Sequence, residues 1–153
     1  MNKKFYIESF PYEIELTARI CHESARRLLD SYSKDISIDE FSVLDTIVAR
    51  PGLSQADLAR LVLKGKAHTG RFIMSLEDKG LVERHVEERD GKLIKVAVIT
   101  EKGQELYQDV LQTMRPAIEH FESVVPEKDI KKMVKELREF RKRIEEVNKI
   151  VFE

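Results

Sequence analysis

Between Asp57 and Glu77 the chain carries no acid, while Arg60, Lys64, Lys66, His68 and Arg71 all fall inside that interval. Cations without neighbouring counter-charge suit an anion, since a guanidinium offers a fork of donors to phosphate oxygens and an ammonium a compact point charge. A solvated helix face is the plainer alternative for such a run. If a helix passes through, Lys64, His68, Arg71 and Ser75 share one face, leaving Phe72, Ile73 and Leu76 for a core. Lys66, His68, Thr69 and Arg71 then come nearest to whatever that face meets. Arg71 could instead pair with Asp57 or Glu77 and tie two helices together. Just upstream, Ser54 and Gln55 stand where a helix start would aim amides and side chains at an anion, with plain capping the alternative for Ser54. A second basic group, Arg89 and Lys92, flanks Asp90-Gly91.

Other chemistry finds little footing. The four histidines, His22, His68, His85 and His120, have no Cys or second His three or four residues away, so a metal would need ligands gathered from separate helices. No glycine-rich phosphate loop, nucleophile motif or convergent acid pair is present, and neither an enzyme, a cofactor nor a metal site is expected. Cys21 lies in an apolar stripe between Ala18 and Ala25, which points to an inert core thiol; Arg19, His22, Arg26 and Arg27 nearby keep a redox-sensing role as the alternative. Tyr12, Arg19, His22 and Arg26 could also supply a ring and cations to a small ligand, although such residues more often pack or face solvent.

The 153 residues hold 27 Lys+Arg and 28 Asp+Glu, a net charge of −1, with 42% hydrophobic residues. That is enough for one domain, or two small subdomains sharing a core, without disulfides. The balance excludes a uniformly basic coat, so any anion surface is local. A single cysteine and the lack of a leader lead us to expect the cytoplasm, and no apolar run approaches the roughly 20 residues that span a bilayer.

The elements that must position these residues can be read from spacing. Ile14, Ala18, Cys21, Ala25, Leu28, Leu29 and Tyr32 step by three or four, predicting a long helix over 11–32. Ser37-Ile38-Asp39-Glu40 is a capping box before Phe41, Leu44, Ile47 and Val48, and Arg50-Pro51-Gly52 ends that second helix. Ser54 caps a short third helix ending near Lys64-Gly65; a fourth spans Lys66 to Lys79, closed by Gly80. Runs 81–86 and 93–99 alternate and are rich in β-branched residues, with Asp90-Gly91 as a hairpin signal between them. Thr100 caps a fifth helix that Pro116 should kink or break. From Pro126, the residues Ile130, Met133, Leu137, Phe140, Ile144, Val147 and Val151 form a heptad seam, which needs a partner helix from this chain, a second copy, or both.

Three helices followed by a two-stranded hairpin make a winged helix-turn-helix, in which the fourth helix enters the major groove and the hairpin tip touches backbone or minor groove. The fold class is therefore mainly α with a small β-hairpin (α+β): a winged helix-turn-helix lobe at 37–100, flanked by helices at 1–36 and 101–153 that the family resemblance given below implies to be dimerisation helices. The predicted DNA-contacting residues are Ser54, Gln55, Lys64, Lys66, His68, Thr69, Arg71, Ser75, Arg89 and Lys92. Paired recognition helices about 34 Å apart would read an inverted repeat.

At Leu53-Ser54-Gln55-Ala56-Asp57-Leu58-Ala59, Leu76-Glu77-Asp78-Lys79-Gly80-Leu81-Val82-Glu83-Arg84, Arg89-Asp90-Gly91 and Thr100-Glu101-Lys102-Gly103 the chain resembles the MarR family of bacterial transcriptional regulators. The resemblance covers nearly the whole chain. It implies a homodimeric repressor on a palindromic duplex, released by a small aromatic or phenolic effector or by an oxidant. Gly91-Lys92 depart from the usual wing pattern, and His68 and Gly70 from the usual recognition helix, so the operator does not transfer. A winged-helix adaptor that binds protein is the rival reading, favoured if Asp57, Glu77 and Asp78 neutralise the basic window.

Overall fold

The computed structural model describes residues 5–62 and 66–152, the side chains of Lys66, Phe121 and residues 149–152 excepted. It resolves into two compact units, Met1–Thr113 and Met114–Glu153. After a single 3-10 turn, Tyr6–Glu8, the order is α1 (Phe10–Tyr32), α2 (Ile38–Ala49), α3 (Gln55–Leu61), α4 (Lys66–Asp78), β1 (Val82–Arg89), β2 (Lys92–Ile99), α5 (Glu101–Ser123) and α6 (Glu127–Phe152).

Local chemistry accounts for the boundaries. Ser9 caps α1 by accepting from the Tyr12 amide, with Pro11 in the first turn, where its missing donor costs nothing. At α2 the Ser37 hydroxyl accepts from the Glu40 amide while the Glu40 carboxylate accepts from the Ser37 amide, the reciprocal box expected from the sequence. α3 stops at Leu61, earlier than expected; Lys64 and Gly65 lie outside the described residues. β1 and β2 run further into the hairpin than the spacing suggested, with Arg89 paired to Lys92 and only two residues in the turn. Asp90 and Gly91 have φ of 51° and 71°, the pair of positive values a type I′ turn demands, so the ladder continues to its very end.

α5 passes through Pro116 without interruption. The expectation of a break there is corrected. Proline removes one backbone donor, and the carbonyl left over belongs to Gln112, an exposed residue whose oxygen water can satisfy.

The core of the first unit is built from Leu29, Ile36, Val43, Leu44, Leu58, Ile73, Leu76, Val82, Val96 and Val110, each at most 1% exposed. Burying such a side chain contributes about 1.5–3 kcal/mol, and these residues come from every helix of the unit and both strands. The base of the wing is fastened twice: Val82 and Val96 are buried, and Ser54 forms an antiparallel bridge with Val96. Phe41 and Tyr107 stack with centroids 5.7 Å apart, and the Tyr107 hydroxyl donates to Asp45 at 2.8 Å. Burial, then that carboxylate, push the Tyr107 phenol up to about 12. In a spectrophotometric titration of the four tyrosines we expect one phenol to ionise near pH 12, and Tyr107→Phe to delete that phase.

In the second unit, Met133, Leu137, Ile144 and Val147 of α6 are 41–56% exposed, so this much of the heptad seam is uncovered in the single chain. Among the described residues no helix is long and apolar enough to cross a membrane.

Candidate nucleic-acid interface

The recognition-helix candidate, α4, is set by what lies beneath it. Thr69, Ile73 and Leu76, spaced by four and three, are all at most 1% exposed and form its inward stripe. Thr69 therefore does not belong to the outward face, which corrects its expected place beside the groove. The signal was present in the sequence, since Thr69 continues the Ile73 and Leu76 stripe back by one turn. His68 and Arg71 are exposed, as is Met74 at 51%, an outward apolar side chain that the charge pattern did not single out. Lys64 lies outside the described residues, as does the Lys66 side chain.

Ser75 is corrected as well. Its hydroxyl donates to Glu40 at 2.6 Å, and the Lys79 ammonium, one turn on, donates to the same carboxylate at 2.7 and 2.9 Å. Glu40, only 6% exposed, thus joins the capping box of α2 to the last turn of α4 and to Lys79 just beyond its end. Burial raises its carboxyl, but the donors from Lys79, the Ser37 amide, Ser75 and the Ser37 hydroxyl outweigh that and hold it below the usual carboxylate value. Capping-box spacing identifies only the local half of this function; the partners 35 and 39 residues away carry no local signal.

Of the acids that could neutralise the basic window, Asp57 takes one of its cations, Arg60, and Glu77 is engaged outside it. Asp57 accepts from Ser54 at 2.6 Å and from Arg60 at 3.1 Å. Glu77 pairs with Arg84 of β1, which holds its carboxyl low. Among the described residues Arg71 makes no ion pair, so neither acid considered for it is its partner.

Ser54 serves as the α3 cap and, through its backbone, as the bridge to β2. Gln55 lies across Gly70, where an added Cβ would stand 2.9 Å from its Nε2, so the two helices cross closely there. At the wing, Arg89 donates to Glu87 at 2.6 Å and its Nη2 sits over Gly52, while Lys92 is exposed at the turn. The structure thus brings His68 and Arg71 onto one exposed face and leaves Arg89 and Lys92 at the hairpin end.

Cys21 is exposed, not buried in the α1 stripe, because Leu29 is the one fully buried residue of that helix. The arginines that might have faced its sulfur are held by their own helix: Arg19 by Glu15 at 2.8 Å, Arg26 by Glu23 and Asp30, and Arg27 by Glu23. Glu23 is drawn down to about 2 by Arg26 and Arg27 together. A groove of about 480 Å³ lined by Glu15, Ala18, Arg19, His22 and Glu23 runs along that same helix. No group of three metal-ligating side chains occurs among the described residues.

The lobe built by α2 to β2 coincides with a recognised sequence domain: the model of the MarR family matches residues 36–94. Residues 36–94 are a MarR-family domain. Solved structures similar to the chain include the MepR–DNA complex of Staphylococcus aureus, at 20% identity and a TM-score of 0.74, covering 92% of this chain and 99% of that one. PcaV of Streptomyces coelicolor, determined with its natural ligand, is 16% identical, with a TM-score of 0.71 over 91% of this chain and 96% of its own. AbsC, a MarR family transcriptional regulator from the same organism, is 19% identical, with a TM-score of 0.73 over 95% and 99%. At these identities the likeness establishes the winged-helix fold with its long flanking helices. No curated protein matches the sequence closely enough to serve as a relative.

Proposed function

We propose that this MarR-family chain is a sequence-specific DNA-binding transcriptional regulator, a homodimeric repressor on an inverted-repeat operator, released by a small-molecule effector. The observation that carries the reading is the exposed face of α4: His68 and Arg71 point outward, and Asp57 and Glu77 pair with Arg60 and Arg84 rather than with either of them. Residues 37–100 form the DNA-binding lobe, and the helices at 1–36 and 101–153 pair with those of a second copy, which would cover the exposed seam of α6. Ser54, Gln55, Lys64, Lys66, His68, Arg71, Arg89 and Lys92 are the residues assigned to DNA; Thr69 and Ser75 hold α4 from within. MepR crystallised on DNA and PcaV with its ligand lend support by fold alone. A cytoplasmic location follows from the role.

Fluorescence anisotropy against DNA from the gene's own upstream region and against scrambled duplex, at two salt concentrations, tests this. We expect selective binding in which log K falls by about 0.9 per phosphate contact for each tenfold rise in salt. Arg71→Ala should weaken binding about 10- to 100-fold, the loss of one bidentate base contact. Salt-insensitive binding, or a genomic fragment selection that recovers no shared sequence, would favour the protein-binding adaptor instead.

A further inference from the structure

Ala67, Arg71 and Met74, spaced by four and three, form one exposed stripe of α4. At about 100° per residue this stripe lies opposite Thr69, Ile73 and Leu76, which pack into the lobe. His68 sits toward the flank, so the crest that would reach furthest into a groove is Arg71 followed by Met74. Asp78, the last residue of α4, lies near enough to Arg84 of β1 for its charge to act there, which leaves Met74 as the final groove-facing side chain. Met74 is 51% exposed. A lone apolar side chain is ordinary on a protein surface, but at the crest of a helix that enters the major groove it is stripped of water on binding. A thioether has no donor for phosphate and is a weak acceptor for base amino groups. Among the groups that base pairs display in the major groove, the apolar one is the thymine C5-methyl.

We propose that Met74 selects thymine in the operator by packing on its C5-methyl, at a base pair next to the one that Arg71 reads. The two side chains stand about 4.5 Å apart along the helix axis, little more than one base-pair step of about 3.4 Å. Arg71 offers donors to guanine acceptors, and Met74 offers an adaptable apolar cap one step on, so each half-site carries a guanine with a thymine beside it on one strand or the other. Covering one methyl group gives about a fourfold preference in each half-site and about fifteenfold in two. This selectivity rests on the regulator reading.

The test begins with duplexes that the full-length protein enriches from a random library. Each thymine of the enriched site is then replaced, in both half-sites at once, by deoxyuridine, which lacks only the methyl group. Anisotropy compares wild type, Met74→Ala and Met74→Leu on the paired duplexes. At one thymine, beside the guanine whose identity ceases to matter in Arg71→Ala, wild type should bind the thymine duplex about fifteenfold more tightly than the uracil duplex. Met74→Ala should bind the two equally, and Met74→Leu, still apolar, should keep most of the preference. A preference that persists in Met74→Ala belongs to the DNA itself, through stiffness or groove shape, and overturns the contact. Wild type that binds uracil and thymine duplexes alike at every position overturns it too, as does an equal loss by Met74→Ala on both. If no duplex is enriched, the regulator reading fails and this selectivity with it; if a site is enriched and bound without regard to the methyl group, the Met74 contact alone fails.

Discussion

Gly103→Ala should lower the stability of the protein by about 3 kcal/mol, the upper end of the usual range for overpacking, and depress the melting temperature by about 6–12 °C. A Cβ at this position would stand 2.1 Å from the Leu81 carbonyl oxygen and 2.9 Å from the Ile99 side chain. The obstacle is backbone and cannot rotate away. Several bonds are anchored in the same place: Thr100 donates from its amide to Leu81 and from its hydroxyl to Gly80, and the Gly103 amide donates to that hydroxyl. The junction joins the end of α4 and both strands to the start of α5, so relieving the clash must shift the wing or the helix. Urea denaturation at fixed protein concentration measures the change, and an unaltered midpoint would contradict the close approach.

Glu40→Ala should cost a similar amount, about 3 kcal/mol, the low end for removing one partner of a buried pair, because Lys79 is partly exposed and can turn to water. The pH dependence separates its charge from its packing. The folded carboxyl sits below its ordinary value near 4.5, so its stabilisation is complete above that pH and is lost as the pH falls through the lower folded value. Glu40→Gln keeps an acceptor for Ser37 and Ser75 but not the charge facing Lys79. The gap between wild type and the Gln variant should therefore be widest at neutral pH and close on acidification below about pH 4.5. A constant gap across pH 3 to 7 would show that the Lys79 pair contributes nothing through charge.

These two residues mark how far the sequence could be read. Whatever is specified within four residues is legible: the Ser37 to Glu40 box, the Ser54 cap, the Asp90-Gly91 hairpin signal, though not that its turn is only two residues long, and the seam of α6. The close approach behind the Thr100 to Gly103 spacing was visible only as a family resemblance, because its reason lies 22 residues away at Leu81. Glu40 was legible as a cap and illegible as a tether, since Ser75 and Lys79 reach it only once α2 and α4 pack. Thr69 and Ser75 lie on the inward side of α4, against the charge spacing, for a related reason. Charge spacing shows which residues share a face, but the direction of that face is decided by the buried stripe, which includes a threonine. Pro116 and Cys21 fail in the opposite sense: both rules were sound locally, and exposure at Gln112 and along α1 removed the condition each rule assumes.

The exposed thiol of Cys21 has a practical consequence. It is the only cysteine in the chain, so a maleimide or spin label attaches at one defined place without any engineered substitution. In a two-fold assembly the labels come in symmetric pairs, and the distance between them, read by pulsed electron resonance, becomes a ruler across the arms. If pairing instead covers that stretch of α1, labelling slows as protein concentration rises, and the slowing itself traces the contact.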